Sequence, residues 1–189
     1  MLATFTLMFL LGISIKIYFV VYGSDDEWDG SELQKARQVG QVLYSYAQDH
    51  NGKYPEGKSS TEVFQKLIDE DYVSDPSIFG FPMAGKKKAK TTKLKPENVC
   101  WDLTDAVRSE DPDTLPLVIS TGYRIDYLHG GIAYPLANAD PAGIAIFLKG
   151  DNVFFLSSKA GGITLLRPPY LFAPKGRTYR QLTPDGALP

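Results

Sequence analysis

Apolar positions that recur every three or four residues predict a helix over residues 31 to 50, and they form one stripe along it. Ser31 to Gln34 has the pattern of a capping box at its start. Asn51 and Gly52 tolerate the left-handed backbone that ends helices, and Pro55 prevents continuation. We expect Tyr54 to fold back onto the stripe, which consists of Leu33, Ala36, Val39, Gly40, Leu43, Tyr46 and Ala47.

A second, shorter helix is predicted over about residues 60 to 71. Ser59 to Glu62 is a possible capping box, and the apolar face comprises Val63, Phe64, Leu67 and Ile68. Asp75-Pro76, Gly80 and Pro82 then break the helical pattern.

The later part of the chain alternates apolar and polar residues, which is typical of half-buried strands. Lys149, Gly150 and Asp151 predict the turn of a hairpin spanning residues 144 to 156. The tail from residue 168 is rich in proline and glycine and is predicted to be irregular. Strands are expected over 99–102, 116–120, 122–128, 143–148, 152–157 and 163–166.

The N-terminal region differs from the rest, because residues 2–22 contain a single charged residue, Lys16. A stretch of this length and character predicts a transmembrane helix, with a cleaved signal peptide as the alternative. The next eight residues are acidic and contain no lysine or arginine. We therefore expect a short N-terminus inside the cell and the main domain outside.

Helices that precede strands indicate an α+β fold class. The predicted architecture is an N-terminal transmembrane helix and an amphipathic helix, followed by an antiparallel β-sheet head. The corresponding domains are a transmembrane helix over 1–22, an acidic linker over 23–30, a globular head over 31–167 and a Pro/Gly-rich tail over 168–189.

Composition and motifs indicate no enzyme and no cofactor. The net charge of −2 creates no whole-chain attraction for nucleic acid, and the single cysteine, Cys100, cannot form an intramolecular disulfide. We find no nucleophile motif, phosphate-binding glycine loop or metal-ligand cluster. A cluster of acids lacks the spacing of a calcium loop, so a solvated loop is favoured over a calcium site; it comprises Asp102, Asp105, Glu110, Asp111 and Asp113.

Two further groups of residues admit two interpretations each. Trp101, Tyr123, Tyr127, Phe154 and Phe155 could form a sugar-stacking face, but core packing is favoured. A run of six lysines could be a solvated loop, or it could contact DNA, an anionic polysaccharide or acidic residues of a neighbouring subunit. The residues of this electrostatic hypothesis are Lys86, Lys87, Lys88, Lys90, Lys93 and Lys95, with Asp25, Asp26, Glu27 and Asp29 as the acidic partners.

Residues 35–57, KARQVGQVLYSYAQDHNGKYPEG, resemble the end of the long N-terminal helix of type IV pilin-like proteins, especially type II secretion pseudopilins. LIDEDYVSDPSIFGFP and GIAIFLKGDNVFFLSS are similar to later parts of that family. Residues 5–11, FTLMFLL, are similar to the start of mature pilins. The chain departs from the family at two positions. Thr4 stands where the family has the glycine that precedes its cleavage point, and Phe9 stands where the family has a glutamate.

The resemblance implies a structural subunit of an extracellular or periplasmic pilus- or pseudopilus-like filament. Its partners would be copies of itself or related pilin-like subunits, in a bacterial inner membrane or an extracellular filament. The alternative is a monomeric membrane-anchored binding module outside the cell, with a periplasmic enzyme a distant third. Assembly would use the apolar N-terminal residues Phe5, Leu7, Phe9, Leu10, Gly12 and Ser14.

Overall fold

The computed structural model describes residues 31–127, 132–140, 142–157, 163–164 and 177–188. These residues include two α-helices, α1 (Ser31–Asp49) and α2 (Ser60–Asp69). Two short 3-10 helices follow, over Pro76–Phe79 and Pro96–Asn98. The strands are β1 (Trp101–Thr104), β2 (Pro116–Ser120), β3 (Tyr123–Asp126), β4 (Ile132–Pro135), β5 (Gly143–Leu148), β6 (Val153–Ser157), β7 (Ile163–Thr164), β8 (Gln181–Thr183) and β9 (Gly186–Ala187).

The strands form two antiparallel sheets. One sheet has six strands in the order β6-β5-β2-β1-β8-β9, and the other has three in the order β3-β4-β7. Strands β5 and β6 form the predicted hairpin, in which Ile144 pairs with Leu156 and Phe147 with Val153. Asp151, in the turn, has a φ of 61°, in the left-handed region that such tight turns use.

Helix α1 ends where the sequence predicts. Asn51 and Gly52 have φ values of 55° and 78°, and the Gly52 amide donates to the Ala47 carbonyl at 2.7 Å. This left-handed ending satisfies a carbonyl of the last turn. Beyond it the chain reverses, and the ring of Tyr54 lies 6.3 Å from that of Tyr44. Tyr54 therefore returns to the helix, but its ring contact is with Tyr44, which is not one of the predicted stripe residues.

The apolar stripe of α1 packs on the six-stranded sheet. Ala36 and Val39 are fully buried, whereas Arg37, Gln38 and Gln41 on the other side of the helix are exposed. At the centre of the contact, Gly40 lies against the buried ring of Phe147 in β5. A Cβ atom at Gly40 would overlap that ring, so the close approach of helix and sheet requires glycine.

Helix α2 begins at the predicted cap. The Ser59 hydroxyl accepts from the Glu62 amide at 3.2 Å, while the Glu62 carboxylate accepts from the Lys58 amide rather than from that of Ser59. The buried face of α2 includes Phe64, whose ring stacks on Phe79 with the centroids 4.3 Å apart. This stacking attaches the first 3-10 helix to the core.

The predicted fold class, α+β with an N-terminal transmembrane helix, an amphipathic helix and an antiparallel pilin-like head, is wrong. The described residues form a sheet-rich structure with only two short α-helices, and neither of these is long and apolar enough to cross a membrane. The predicted membrane span over 1–22 and the acidic linker over 23–30 lie outside the described residues.

The tail and the strand list also need correction. The tail was predicted to be irregular, but β8 pairs with β1 and extends the main sheet. The reason is that a strand of three residues carries too little alternation to be detected, although Leu182 is 2% exposed. Strand β4 was missed as well. The division of the strands between two sheets was not predicted, because pairing depends on contacts far apart in sequence.

Substitution of Gly40 by valine should therefore destabilise the protein. We expect a loss of about 1–3 kcal/mol, because the new side chain must displace Phe147 from a packed core. The measurement is the urea midpoint of the full-length chain. Gln41→Val is the matched control, since it places the same side chain on the exposed face of the same helix. Equal stability of the two variants would contradict the packing argument.

Candidate functional site

The segment that carries the lysine run follows a well-defined path between the two 3-10 helices. The Lys87 amide donates to the Glu97 carbonyl at 2.7 Å, and the Leu94 amide donates to Gln65 Oε1 of α2 at 2.8 Å. Position 80 requires glycine, because a Cβ atom there would lie only 2.9 Å from the Asn98 carbonyl oxygen. These bonds position the lysines on a loop that is fixed to the core at several points.

A cavity of about 420 Å³ lies between this loop and the first turns of α1. Lys35 of α1 and three lysines of the loop contribute all four charged side chains of its lining. We call this site the lysine cavity; it is lined by Lys35, Lys86, Lys87, Lys88, Ser77, Gly80, Phe81, Pro82 and Ala89. The lining therefore combines positive charge with apolar surface.

The ammonium groups of the cavity are held mainly by backbone carbonyls. Lys35 Nζ donates to Gly80 O at 2.6 Å, and Lys86 Nζ donates to Pro96 O at 3.1 Å. Lys87 forms an ion pair of 3.4 Å with Glu97, whose side chain is 44% exposed. A carbonyl orients an ammonium group without neutralising it, so the cavity keeps a positive field.

The field reaches a neighbouring carboxylate. The pKa of Asp75 is lowered, first by hydrogen bonds from the Ser77 side chain and amide, and then by the charges of Lys88 and Lys35. Asp75 caps the first 3-10 helix rather than pairing with a lysine, since both its oxygens accept from Ser77. Lys35, Lys86 and Lys88 form no ion pair within 4.0 Å among the residues that the structure describes.

The structure separates the predicted lysines into two groups. Lys86, Lys87 and Lys88 line the cavity, whereas Lys90, Lys93 and Lys95 are exposed on the same loop outside the lining. Sequence reasoning missed Lys35, because its place in the cavity depends on the packing of α1 against the first 3-10 helix. The predicted acidic partners, Asp25, Asp26, Glu27 and Asp29, lie outside the described residues, as do the assembly residues Phe5, Leu7, Phe9, Leu10, Gly12 and Ser14.

In the acidic cluster of residues 102–113, Asp105 and Asp111 are buried and have a structural role, whereas Glu110 and Asp113 are largely exposed, as the solvated-loop interpretation predicts. Asp111 accepts from Arg177 at 2.8 Å and from the Arg108 amide at 2.8 Å. Asp105 forms an ion pair with Arg180, while Glu110 and Asp113 pair with Arg108 and Lys149. Most of these acids therefore attach the C-terminal segment or a neighbouring turn, and the described residues contain no group of three or more ligands that could hold a metal ion.

Asp102, the remaining acid of the cluster, is fully buried in β1. Its Oδ2 accepts from Gln181 Nε2 at 2.7 Å, and its Oδ1 has no hydrogen-bond partner among the described residues. Burial raises the pKa of Asp102 to about 7, against the lowering effect of the neighbouring Thr121 and Gln181 side chains.

Gln181 connects the two sheets. Its Nε2 donates to the Tyr123 carbonyl at 2.6 Å, and its Oε1 accepts from the Ile125 amide at 2.9 Å. The side-chain amide thus bonds to β3 as an adjacent strand would. Close by, the hydroxyls of Thr104 and Tyr127 lie 2.8 Å apart. Asp102, which bonds to the same amide group, helps to fix its orientation.

The aromatic residues considered for sugar stacking belong mainly to the core. Trp101 and Tyr123 are fully buried, and Tyr127 is 7% exposed. Phe154 and Phe155 are half-buried in β6 and pack against the same core. Core packing, the favoured interpretation, accounts for their positions.

Comparisons with protein-family models, with curated proteins and with solved structures find no match for this chain.

The ion pair between Asp111 and Arg177 should be important for stability. Asp111→Ala leaves the Arg108 amide without its acceptor and Arg177 without its partner, so we expect a loss of about 1–3 kcal/mol. Trypsin should also cut faster after Arg177 or Arg180. Asp113→Ala is the control, because the Asp113 side chain is 81% exposed and its pair with Lys149 contributes about 0–1 kcal/mol. Unchanged stability and cleavage in the Asp111 variant would contradict this role.

Asp102 should make stability fall as the pH rises towards 7. The pKa of its carboxyl is about 7 in the folded state and 3.8 in the unfolded state, so the folded carboxyl keeps its proton to a higher pH. Between these two pH values the folded state binds a proton that the unfolded state has released, so the free energy of unfolding falls as the pH rises from about 3.8 to about 7. Asp102→Asn removes the titration, so its stability relative to wild type should rise by about 2–4 kcal/mol between pH 4 and pH 8.

The measurement is the free energy of unfolding at several pH values for wild type and Asp102→Asn. Asp113→Asn, which changes an exposed carboxyl, should follow the wild-type profile. Parallel curves for wild type and Asp102→Asn would show that Asp102 titrates normally in the folded chain.

Proposed function

We propose that this protein is a structural subunit of an extracytoplasmic assembly of the pilus or pseudopilus kind, held together through its apolar N-terminal stretch. The observation that carries the proposal is the order of segments along the chain: an apolar stretch, an acidic segment and a folded body. Residues 2–22 contain one charge, four acids follow within residues 25–29, and the packed body begins at Ser31 with the lysine cavity close to that end.

The difference between the apolar stretch of residues 2–22 and the folded body supports an assembly role for the stretch. The apolar face of α1 is used within the body, against the sheet, and its outer face is polar. Residues 2–22, which lie outside the described residues, form the long apolar stretch of the sequence and contain one charge. Gly12 and Ser14 would permit close approach between copies of the stretch.

The engagement of reactive side chains also supports a mechanical function. Cys100 is buried, its Sγ lies 3.4 Å from both the amide and the carbonyl of Phe81, and burial raises the pKa of its thiol. Asp105 and Asp111 are bound to arginines. These three side chains thus take part in contacts that hold the fold together.

The alternative function is that of a monomeric anchored binding module. The lysine cavity favours it, because four lysines around apolar surface suit an anionic partner such as a polysaccharide or nucleic acid. Such binding would weaken steeply with salt. Assembly through an apolar stretch would instead persist at high salt, and this difference separates the two functions.

The test is the state of the full-length protein in membranes and after mechanical shear. We expect sedimentable, multi-copy assemblies that survive high salt. Gly12→Leu should reduce their amount severalfold, because a bulky side chain prevents close approach, while the chain stays associated with membranes. Thr4→Leu is the matched control and should assemble as wild type does. Wild-type protein that stays monomeric at every concentration would overturn the assembly proposal and leave the binding module.

A further inference from the structure

We propose that the acidic segment of residues 25–29 occupies the lysine cavity of its own chain. This contact goes beyond the proposed function, since it would form whether the protein assembles or stays monomeric.

Charge complementarity is the first reason. The segment carries Asp25, Asp26, Glu27 and Asp29, and the cavity carries four lysines, of which only Lys87 pairs with a carboxylate among the described residues. Oriented ammonium groups without carboxylate partners are suited to donate hydrogen bonds to several carboxylates together. The segment and the cavity thus carry charges of opposite sign, with four acids for four lysines.

Apolar complementarity is the second reason. The acidic segment contains one large apolar residue, Trp28, and the cavity wall includes Phe81 and Pro82. An indole ring between acidic neighbours fits a lining that combines lysines with apolar surface, through ring packing and contact with lysine ammonium groups. A free inorganic anion would leave that apolar surface unused.

Reach is the third reason. Asp29 precedes Ser31, the first residue of α1, by two positions, which span about 7 Å at most. Lys35 is four positions after Ser31, about 6 Å along the helix axis, and helical side chains lean towards the N-terminus. Five extended residues cover about 17 Å, which is ample for a cavity of this size.

Attachment to the same chain favours this occupant over a neighbouring copy. Each single ion pair at such an exposed site is weak. A short connection, however, gives the segment an effective concentration of about millimolar or above, so several weak pairs suffice. The segment would then shield the lysines from other anions, and a competing polyanion or salt would release them.

The first experiment identifies the contact and the chain that supplies it. Equal amounts of ¹⁴N- and ¹⁵N-labelled full-length protein are mixed in mild detergent and treated with a zero-length carbodiimide. We expect links between the carboxylates of residues 25–29 and the cavity lysines, within one isotope label only. Links between the two labels would assign the segment to a neighbouring copy, and absence of links would remove the contact; either result overturns the proposal.

The second experiment measures the rate of lysine acetylation by mass spectrometry. Neutralising the segment (D25N, D26N, E27Q and D29N) should raise the rates at Lys35, Lys86 and Lys88 severalfold and make them insensitive to salt. Lys90, Lys93 and Lys95 are internal controls, since they lie on the same loop outside the cavity. A control variant neutralises four exposed acids elsewhere and should leave all rates unchanged: E56Q, D71N, D151N and D185N.

Equal reactivity of the cavity lysines in wild type and the neutralised segment variant would overturn the proposal. An increase at all lysines of the loop alike would do so too, because it would reflect a change of net charge rather than an occupied cavity. Neither measurement depends on assembly, so failure here and failure of the proposed function are separate results.

Discussion

The contact between Gly40 and Phe147 fixes how α1 lies on the six-stranded sheet, and the rest of the structure is arranged around it. Because glycine has no side chain, the Phe147 ring can meet the helix backbone directly, and Tyr44 packs on the same ring with the centroids 5.7 Å apart. Both ends of the helix are positioned as a result. The C-terminal end reaches Tyr54, while the N-terminal end places Lys35 against Gly80. The candidate site therefore depends on core packing at Gly40, five residues or about one and a half turns from Lys35.

The helices could be predicted because their signals are local. The apolar stripe, the cap at Ser59 and the left-handed residues Asn51 and Gly52 all act within a few positions of one another. The sheet could be predicted only where strands are long or strongly apolar, as in β2 and β5. Strand β8 escaped prediction because it has only three residues and pairs with β1, far away in sequence. The fold class was wrong because the described residues form a sheet-rich structure with only two short α-helices, and the division of its strands between two sheets depends on pairing that no short motif reveals.

The candidate site was predictable in part. Six lysines within ten positions indicate an electrostatic surface, but the sequence does not reveal which of them share a cavity, nor that Lys35 joins them. The acids of residues 102–113 are equally close in sequence, yet Asp102 is fully buried while the Asp113 side chain is largely exposed. Arg177 and Arg180, which bind Asp111 and Asp105, come more than sixty positions later. A cluster of charged residues in a sequence thus predicts a charged surface only once it is known which of them form ion pairs within the protein.

That pairing also explains why a net charge of −2 is a poor guide to this protein's electrostatics. Asp105 and Asp111 are neutralised inside the body by arginines, so their charges are not available to balance the lysine cavity. Carbonyl groups, which orient Lys35 and Lys86, leave their charge in place. The body therefore has a positive site although the chain as a whole is acidic. Such a site attracts anions from outside the body, and the nearest in sequence are those of residues 25–29, because they directly precede the helix that carries Lys35.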